Sequence, residues 1–266
     1  SALLVNTTGS SNTAVGAQAL DAITTGSNNV ALGQGALSTE DVGGRSVAVG
    51  VNALGQQNVD GDVYNVAVGH AAGNNITTGI QNTFIGGLAG DALTDADGNV
   101  ALGTYALSTD TLGSRAVAIG HGALLTQNFT SATNNYNVGV GHSAGRAVTT
   151  GVNNTFIGGL AGDTTTTGAH NTAVGFDSLT SNTTASGNSA FGQSSLKSNT
   201  TGTSNTGLGG QALQTNSTGS SNTAVGVLAL YANTTPSNNT AVGYNSLTAN
   251  TTGANNVAIG SLTLDA

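Results

Sequence analysis

Few residues of this chain have side chains suited to acid–base or metal chemistry. Three of the four histidines, His70, His121 and His142, each directly follow a recurring glycine. A metal site needs clustered ligands, and the sequence puts no cysteine or acidic residue beside these histidines. The segments 60–62 and 95–98 resemble fragments of calcium loops but lack the other ligands, and Asp-Gly is first of all a turn signal. We therefore expect no metal and no cofactor.

Catalysis requires titratable groups that converge in one pocket. Asp91 and Asp163 occupy equivalent places in a duplicated segment and lie far apart in the chain, so we do not expect them to form an acid–base pair. No serine or threonine lies in a recognisable nucleophile motif, and there is no cysteine. The sequence thus predicts a protein that is not an enzyme.

Pairs of threonines are the most regular polar feature of the sequence. They recur eight and nine residues after the recurring glycine, at 24–25, 77–78, 149–150, 166–167, 183–184, 200–201, 234–235 and 251–252. Thr-Thr-Gly is a good turn sequence, which is a purely structural explanation. Two ranks of hydroxyls on one flat face would also suit ice binding, and they could bind or carry a glycan.

The composition excludes several classes of partner. Only 6% of the 266 residues are charged, against about 25% in a typical soluble domain. The net charge of −8 disfavours nucleic acid, because phosphate binding requires a basic surface. No apolar run approaches the ~20 residues that span a bilayer, so membrane insertion is not expected.

A repeat of the form Asn–(Thr/Val)–Ala–(Val/Ile/Leu)–Gly runs along the chain. Its last residue, called here the closing glycine, stands at positions 16, 33, 50, 69, 86, 103, 120, 141, 158, 175, 192, 209, 226, 243 and 260. The spacing is 17 residues in twelve of the fourteen intervals. A 17-residue unit cannot bury its own apolar face, so neighbouring units must stack.

The residue types favour β-structure within each repeat. The residue before the closing glycine and the residue two positions earlier are mostly β-branched or large and share one face of a strand, whereas the residue between them is Ala or Gly except at Phe84 and Phe156. The sequence predicts an all-β solenoid of about fifteen 17-residue coils with five-residue strands. We expect one repeat domain over residues 1–266, with coils from 12 to 264, and a rod on the order of 70 Å long at ~4.8 Å per coil.

Asparagine stands four residues before the closing glycine in thirteen of fifteen coils, with Ser46 and Ala116 as the exceptions. Stacked asparagines can form an amide ladder that caps the turn backbone. The expected ladder includes Asn12, Asn82, Asn99, Asn171 and Asn222.

A longer repeat is superimposed on the short one. Residues 29–50 match 99–120, and 65–91 match 137–163, which indicates a duplicated block. The two longer intervals predict insertions near 55–64 and 125–136 that leave the solenoid as loops on one side. Tyr64, Phe129 and Tyr136 lie in these insertions and are the expected ligand contacts.

The pattern Asn–x–Ala–(Val/Ile)–Gly–x–x–Ala–Leu resembles the YadA-like head repeats of trimeric autotransporter adhesins and the 17-residue repeats of phage tail fibres and tail-fibre-like surface proteins. The resemblance implies a left-handed β-roll and a homotrimer of rolls packed side by side. In that family small residues permit close approach of the rolls, so the Ala/Gly column suits such an interface, although a narrow roll core would also require it.

Three functions follow from these patterns. The first is a non-enzymatic extracellular adhesin head or tail-fibre-like rod, at a cell surface or on a virion, which would contact a host glycan or protein. The second is a structural subunit that polymerises end to end into a filament, since the first and last coils look like ordinary coils without caps. The third is ice binding through the threonine ranks.

Overall fold

Short parallel strands, one per coil, form the framework of the chain. The computed structural model describes residues 1–264 and divides into two compact units, unit 1 (Ser1–Tyr136) and unit 2, which begins at Asn137. The main strand of each coil covers only the three residues before a closing glycine, not the expected five. The reason is the glycine itself, whose backbone turns the chain out of the strand.

The strands of unit 1 are β1 (Thr13–Val15), β2 (Val30–Leu32), β3 (Val47–Val49), β4 (Val66–Val68), β5 (Thr83–Ile85), β6 (Val100–Leu102), β7 (Gly113–Ser114), β8 (Val117–Ile119) and β9 (Thr133–Asn134). Those of unit 2 are β10 (Val138–Val140), β11 (Thr155–Ile157), β12 (Thr172–Val174), β13 (Ser189–Phe191), β14 (Thr206–Leu208), β15 (Thr223–Val225), β16 (Thr240–Val242) and β17 (Val257–Ile259).

Each main strand pairs in parallel with the equivalent strand of the next coil. In unit 1 the order is β1-β2-β3-β4-β5-β6-β8, and in unit 2 it runs from β10 to β17 in sequence order. The register keeps equivalent residues side by side, as Ala31 beside both Ala14 and Ala48. Both units are therefore all-β solenoids, with fifteen coils in all, and none of residues 1–264 lies in a helix.

The core of each coil is narrow and lined by small side chains. The middle residue of the strand points inward, as Ala31, Ala48 and Ala101 do with no exposed surface. The opposite wall is the alanine and leucine that follow the glycine, such as Ala36 and Leu37, which are also fully buried. Alanine faces leucine across the coil, so little room is left for a larger residue in the strand.

The buried leucines adopt a left-handed backbone conformation, with φ of 49° at Leu37 and 54° at Leu107. This conformation costs a non-glycine residue about 1–2 kcal/mol. Burying a leucine side chain contributes roughly 1.5–3 kcal/mol. Burial therefore outweighs the backbone cost and allows a leucine to turn the chain in coil after coil.

The closing glycine is required by the stacking of coils. At Gly33 the value of φ is +138°, and an added Cβ would lie 2.6 Å from the carbonyl carbon of Gly50 in the next coil. The obstacle is backbone, which cannot move without breaking the parallel pairing. This explains why a glycine ends every strand of the repeat.

In unit 1 the ring of Phe84 fills core space that glycines at two leucine positions leave open. Phe84 occupies the inward strand position that alanine holds elsewhere and is fully buried. The leucine position opposite is Gly90 in the same coil and Gly73 in the preceding one, and an added Cβ at either would lie 2.5 Å from a ring carbon of Phe84. One large ring thus replaces two leucines.

The two insertions remain partly paired with the coil before them. In the first, Gly44 forms a parallel bridge with Asp62. In the second, β7 and β9 form a two-stranded parallel sheet that joins Gly113 to Thr133. The surplus residues lie around 59–60 and 130–132, because Asn58 and Gly61 still bond to neighbouring coils, so each loop is shorter than the sequence indicated.

Candidate functional site

An outward-facing row of apolar residues runs over the strands of each unit. Because the middle residue of each strand points inward, the first and third residues point away from the core. The third residue is large and apolar in every coil, and Leu32, Leu102 and Leu208 expose 46%, 40% and 48% of their surface. These first and third strand residues are called here the apolar face.

The apolar face carries no charge. From β1 to β17 its residues are Val, Ile, Leu, Phe, Thr and Ser, without Asp, Glu, Lys or Arg. In some coils the residue after the closing glycine widens the face, as the exposed Phe176, Val227 and Tyr244 do in unit 2. Depletion of charge combined with large apolar and aromatic side chains is typical of the buried centre of protein–protein interfaces.

The apolar face of each unit forms one continuous exposed patch along the strands. The third strand residues alone present on the order of 500 Å² in each unit, comparable to the ~300–600 Å² of the largest apolar patch on an ordinary monomer. The neighbouring valines and aromatic rings add to it. Apolar patches of this size on soluble proteins are often functional contact surfaces.

The small-residue column does not contribute to this surface. Ala31, Ala48, Ala67 and their equivalents are buried inside their own coils, except Ala14 of the first coil, which is half-buried. Of the two explanations for that column, the structure selects the narrow core over close approach between chains. Any side-by-side contact over the strands would be made by the large apolar residues instead.

The two threonine ranks differ in their hydrogen bonding. In unit 2 the first rank, from Thr149 to Ser217, donates its hydroxyl proton to the backbone carbonyl of the next coil, as Thr149 to Thr166 at 3.2 Å and Thr166 to Thr183 at 3.0 Å. The second rank, with Thr150 and Thr167, is exposed. The first rank thus holds coils together, and the second is the rank that meets solvent.

The insertion aromatics divide into two exposed rings and one buried ring. Tyr64 and Tyr136 are about half exposed, and each accepts a hydrogen bond from an arginine through its hydroxyl, from Arg45 and Arg115 at 2.5 Å. Both guanidinium groups also lie over the faces of these rings.

Phe129 is only 6% exposed, which differs from the expected ligand contact. Its backbone N–H donates to Asp110 at 2.9 Å, and its ring packs where a Cβ at Gly113 would lie 2.8 Å away. The second insertion therefore folds its phenylalanine under the loop instead of presenting it to solvent.

The titratable residues do not converge on one site. Among residues 1–264, no group of three or more His, Asp or Glu side chains is arranged to hold a metal ion. Asp163 pairs with Arg146 at 2.9 Å, whereas the equivalent Asp91 is half-buried and burial raises the pKa of its carboxyl group. None of the described residues forms a helix long and apolar enough to cross a membrane.

The asparagines four residues before the closing glycines connect successive coils. The side-chain oxygen of Asn82 accepts the backbone N–H of Asn99 at 2.9 Å, and its amide donates to the carbonyl of Ala96 at 2.7 Å. The same pair of bonds recurs at Asn171 and Asn222. Asn82, Asn99, Asn171 and Asn222 are fully buried, and Asn12 is half-buried.

A second asparagine ladder in unit 2 was not predicted. Its members stand seven residues after the closing glycine, at Asn182, Asn199, Asn216, Asn233 and Asn250. Each amide after that of Asn182 donates to the side-chain oxygen of the preceding member, over 2.8 to 3.3 Å. The signal was present in the sequence as a second 17-residue period of asparagine.

In unit 1 the same position holds two buried acids, which the sequence interpretation also missed. Glu40 is fully buried and accepts hydrogen bonds from the backbone N–H of Gly43 at 2.8 Å and from the amide of Gln57 at 2.7 Å. Gln57 also donates to Ser46 at 2.9 Å. The Gln57 side chain thus reaches Ser46, the position at which the asparagine ladder before the closing glycines lacks an asparagine.

The second copy of the block repeats this arrangement with Asp110 and Gln127, which are 2.6 Å apart. Ala116, the other exception in the asparagine ladder, stands in the coil after Asp110. Both exceptions therefore coincide with a buried acid–glutamine pair.

No family model matches this chain, and no curated protein sequence matches it.

Glu40 makes stability depend on pH. Burial raises its pKa above the ordinary value of 4.5, so just above pH 4.5 the native state binds more protons than the unfolded state. The contribution of Glu40 to the free energy of unfolding should therefore fall as pH rises through that window. We expect denaturant titrations at a series of pH values to show a smaller decrease in the free energy of unfolding in Glu40→Gln than in the unaltered chain.

Asp60→Asn provides the control, since it removes one acid from the exposed first insertion without touching the buried network. If the unaltered chain and Glu40→Gln showed the same dependence of stability on pH, the pKa of Glu40 would be the same in the native and the unfolded state, which would contradict this prediction.

Proposed function

We propose that this chain is a non-enzymatic extracellular fibrous protein, an adhesin head or tail-fibre-like protein for surface attachment, whose copies associate side by side as a homotrimer. The observation that carries the proposal is the uncharged apolar face outside a core that is already filled. A monomer would leave this whole surface in water, where it favours association.

The periodicity of the face favours a second copy of the same chain as its partner. Equivalent side chains recur once per coil at the ~4.8 Å spacing of paired strands. Only a surface with the same period can pack against such a row coil by coil. Another copy has that period, so every coil added to the chain extends the contact.

The resemblance to trimeric head repeats supports three copies. A face that contacts a different part of its neighbour closes into a ring when the rotation between copies fits. In unit 2 the exposed Phe176, Val227 and Tyr244 lie beside the third strand residues and would give such a ring a second contact surface.

Introduced cysteines test this proposal, because the chain has none of its own. Leu208→Cys places a thiol on the apolar face, and Thr218→Cys places one on the second threonine rank of the same coil. Both positions are exposed in a single chain. We expect a bulky maleimide to label L208C at least tenfold more slowly than T218C under native conditions.

Unfolding in denaturant should equalise the two labelling rates, which controls for thiol reactivity. Equal rates in the native protein would show that the apolar face is uncovered and would contradict the proposed association.

A further inference from the structure

Unit 1 contains a polar cleft beside the first insertion. Its volume is about 600 Å³, within the ~300–1,000 Å³ range of small-molecule sites. The cleft lies where the first insertion leaves the coil, and Gly55 forms its floor. Around Gly55 stand Ser38, Thr39, Asn52, Gln56, Asn58 and Asn74.

The missing side chain of Gly55 opens this cleft. Gly55 is the fifth residue after a closing glycine, and the matching position in the second copy of the block is Leu125. A Cβ at position 55 would lie 2.7 Å from the side-chain oxygen of Asn74 and at least 3.3 Å from backbone atoms. A side chain there is thus opposed by a movable amide, not by the fold.

The lining offers hydrogen-bonding groups of both kinds and no charge. Ser38 donates its proton to the carbonyl of Gly55 at 3.1 Å, and the Thr39 hydroxyl lies 3.1 Å from the same carbonyl and 3.0 Å from that of Gln57, to which its proton is shared, which leaves both hydroxyl oxygens to accept. The Asn74 amide donates to Asn75 at 3.0 Å, which leaves its oxygen to accept. Asn52 and Asn58 are exposed, and a carboxamide can both donate and accept.

These properties limit the chemistry of a ligand. A charged group would enter without a counter-charge, and an apolar group would cover amides without satisfying them. A hydroxyl both donates and accepts, so a compound with many hydroxyls matches four carboxamides and two hydroxyl oxygens. We propose that this cleft binds a neutral saccharide; the inference rests on the attachment function proposed above and names the ligand class of that attachment.

The test fills the cleft with the residue that the second copy already carries. The full chain and Gly55→Leu are compared on an array of neutral oligosaccharides of glucose, galactose, mannose and N-acetylglucosamine, with sialylated and sulfated glycans alongside. Titration calorimetry then measures the best neutral binder. We expect at least tenfold weaker binding in G55L.

Ser108→Leu is the matched control, because Ser108 is the equivalent of Ser38 in the second copy and does not line the cleft. The double variant Asn52→Ala/Asn58→Ala changes two exposed side chains and leaves the core alone, so it tests the site without adding bulk. We expect S108L to bind as the unaltered chain does and the double variant to lose at least tenfold.

Three results would overturn the proposal: unchanged neutral-glycan binding in G55L and in the double variant, no neutral glycan bound at millimolar concentration, or binding of anionic glycans alone. The solution mass of every sample is measured in parallel. If the unaltered chain is a trimer but binds no saccharide, the cleft is rejected as a binding site and the proposed association stands. If the unaltered chain is a monomer, the proposed association itself is rejected.

Discussion

Replacing Phe84 with alanine is expected to lower the free energy of unfolding by about 3–5 kcal/mol. The ring is fully buried between positions 73 and 90, where glycine replaces the usual leucine. Its removal would leave a cavity that neither glycine can fill. Chemical denaturation measured by circular dichroism should show the loss as a lower transition midpoint.

The sharper result comes from restoring the ordinary pattern of the repeat. Phe84→Ala combined with Gly73→Leu and Gly90→Leu recreates the alanine–leucine packing of other coils. Leucine tolerates this backbone conformation, since Leu107 has φ of 54° at the same position. We expect the triple variant to regain at least half of the lost stability.

Gly90→Leu alone is the necessary control for that experiment. Its side chain would compete with the Phe84 ring for one volume, so we expect it to be destabilising by about 1–3 kcal/mol. Residues that share one cavity should show strong energetic coupling. If the changes in the free energy of unfolding were additive over the three substitutions, the ring of Phe84 would not occupy the space of the two missing leucines.

Glutamate on the apolar face is expected to dissociate the oligomer. In Ile157→Glu/Leu208→Glu the new carboxylates would be buried without partners in the assembled state, and copies from neighbouring chains would repel each other. Both positions are exposed in a single chain, so the coil itself should fold. We expect sedimentation at micromolar concentration to give one third of the mass of the unaltered protein.

Thr167→Glu/Thr218→Glu carries the same charge in the same two coils but on the second threonine rank. This variant should keep the mass of the unaltered protein. Dissociation of both variants would attribute the effect to charge alone, and dissociation of neither would place the contact elsewhere.

The coil architecture could be predicted because it depends only on the 17-residue spacing of the closing glycines. Fifteen closing glycines fixed the number of coils, and the parallel register follows their spacing, including the shift at the first insertion. The strands proved shorter than expected because each closing glycine, with φ near +130°, ends the strand immediately.

Alternation could not decide which strand face is buried, since both faces are apolar. Hydrophobicity alone would favour burial of valine and leucine, yet alanine is inside because leucine already fills the opposite wall. The sequence held one decisive clue. Phe84 and Phe156 occur where the leucine six residues later is glycine, at Gly90 and Gly162, and such an exchange requires the phenylalanine to point inward.

The site details depend on tertiary contacts that no local pattern contains. Glu40 stands in a turn position where an acid is ordinarily solvated, and only stacking of the next coil over it buries its carboxylate. Phe129 lies in an insertion, where exposure is the usual expectation. The cleft at Gly55 is visible only when the two copies of the block are compared and their difference, glycine against Leu125, is placed on the surface.

The most direct test of the central claim is the absolute mass of the unaltered chain in solution, measured by light scattering over a range of concentrations. Association through the apolar face as a homotrimer predicts a constant mass of three times 25.7 kDa. A mass of 25.7 kDa at every concentration would contradict the account, and a mass that grows without limit would replace the trimer with a filament.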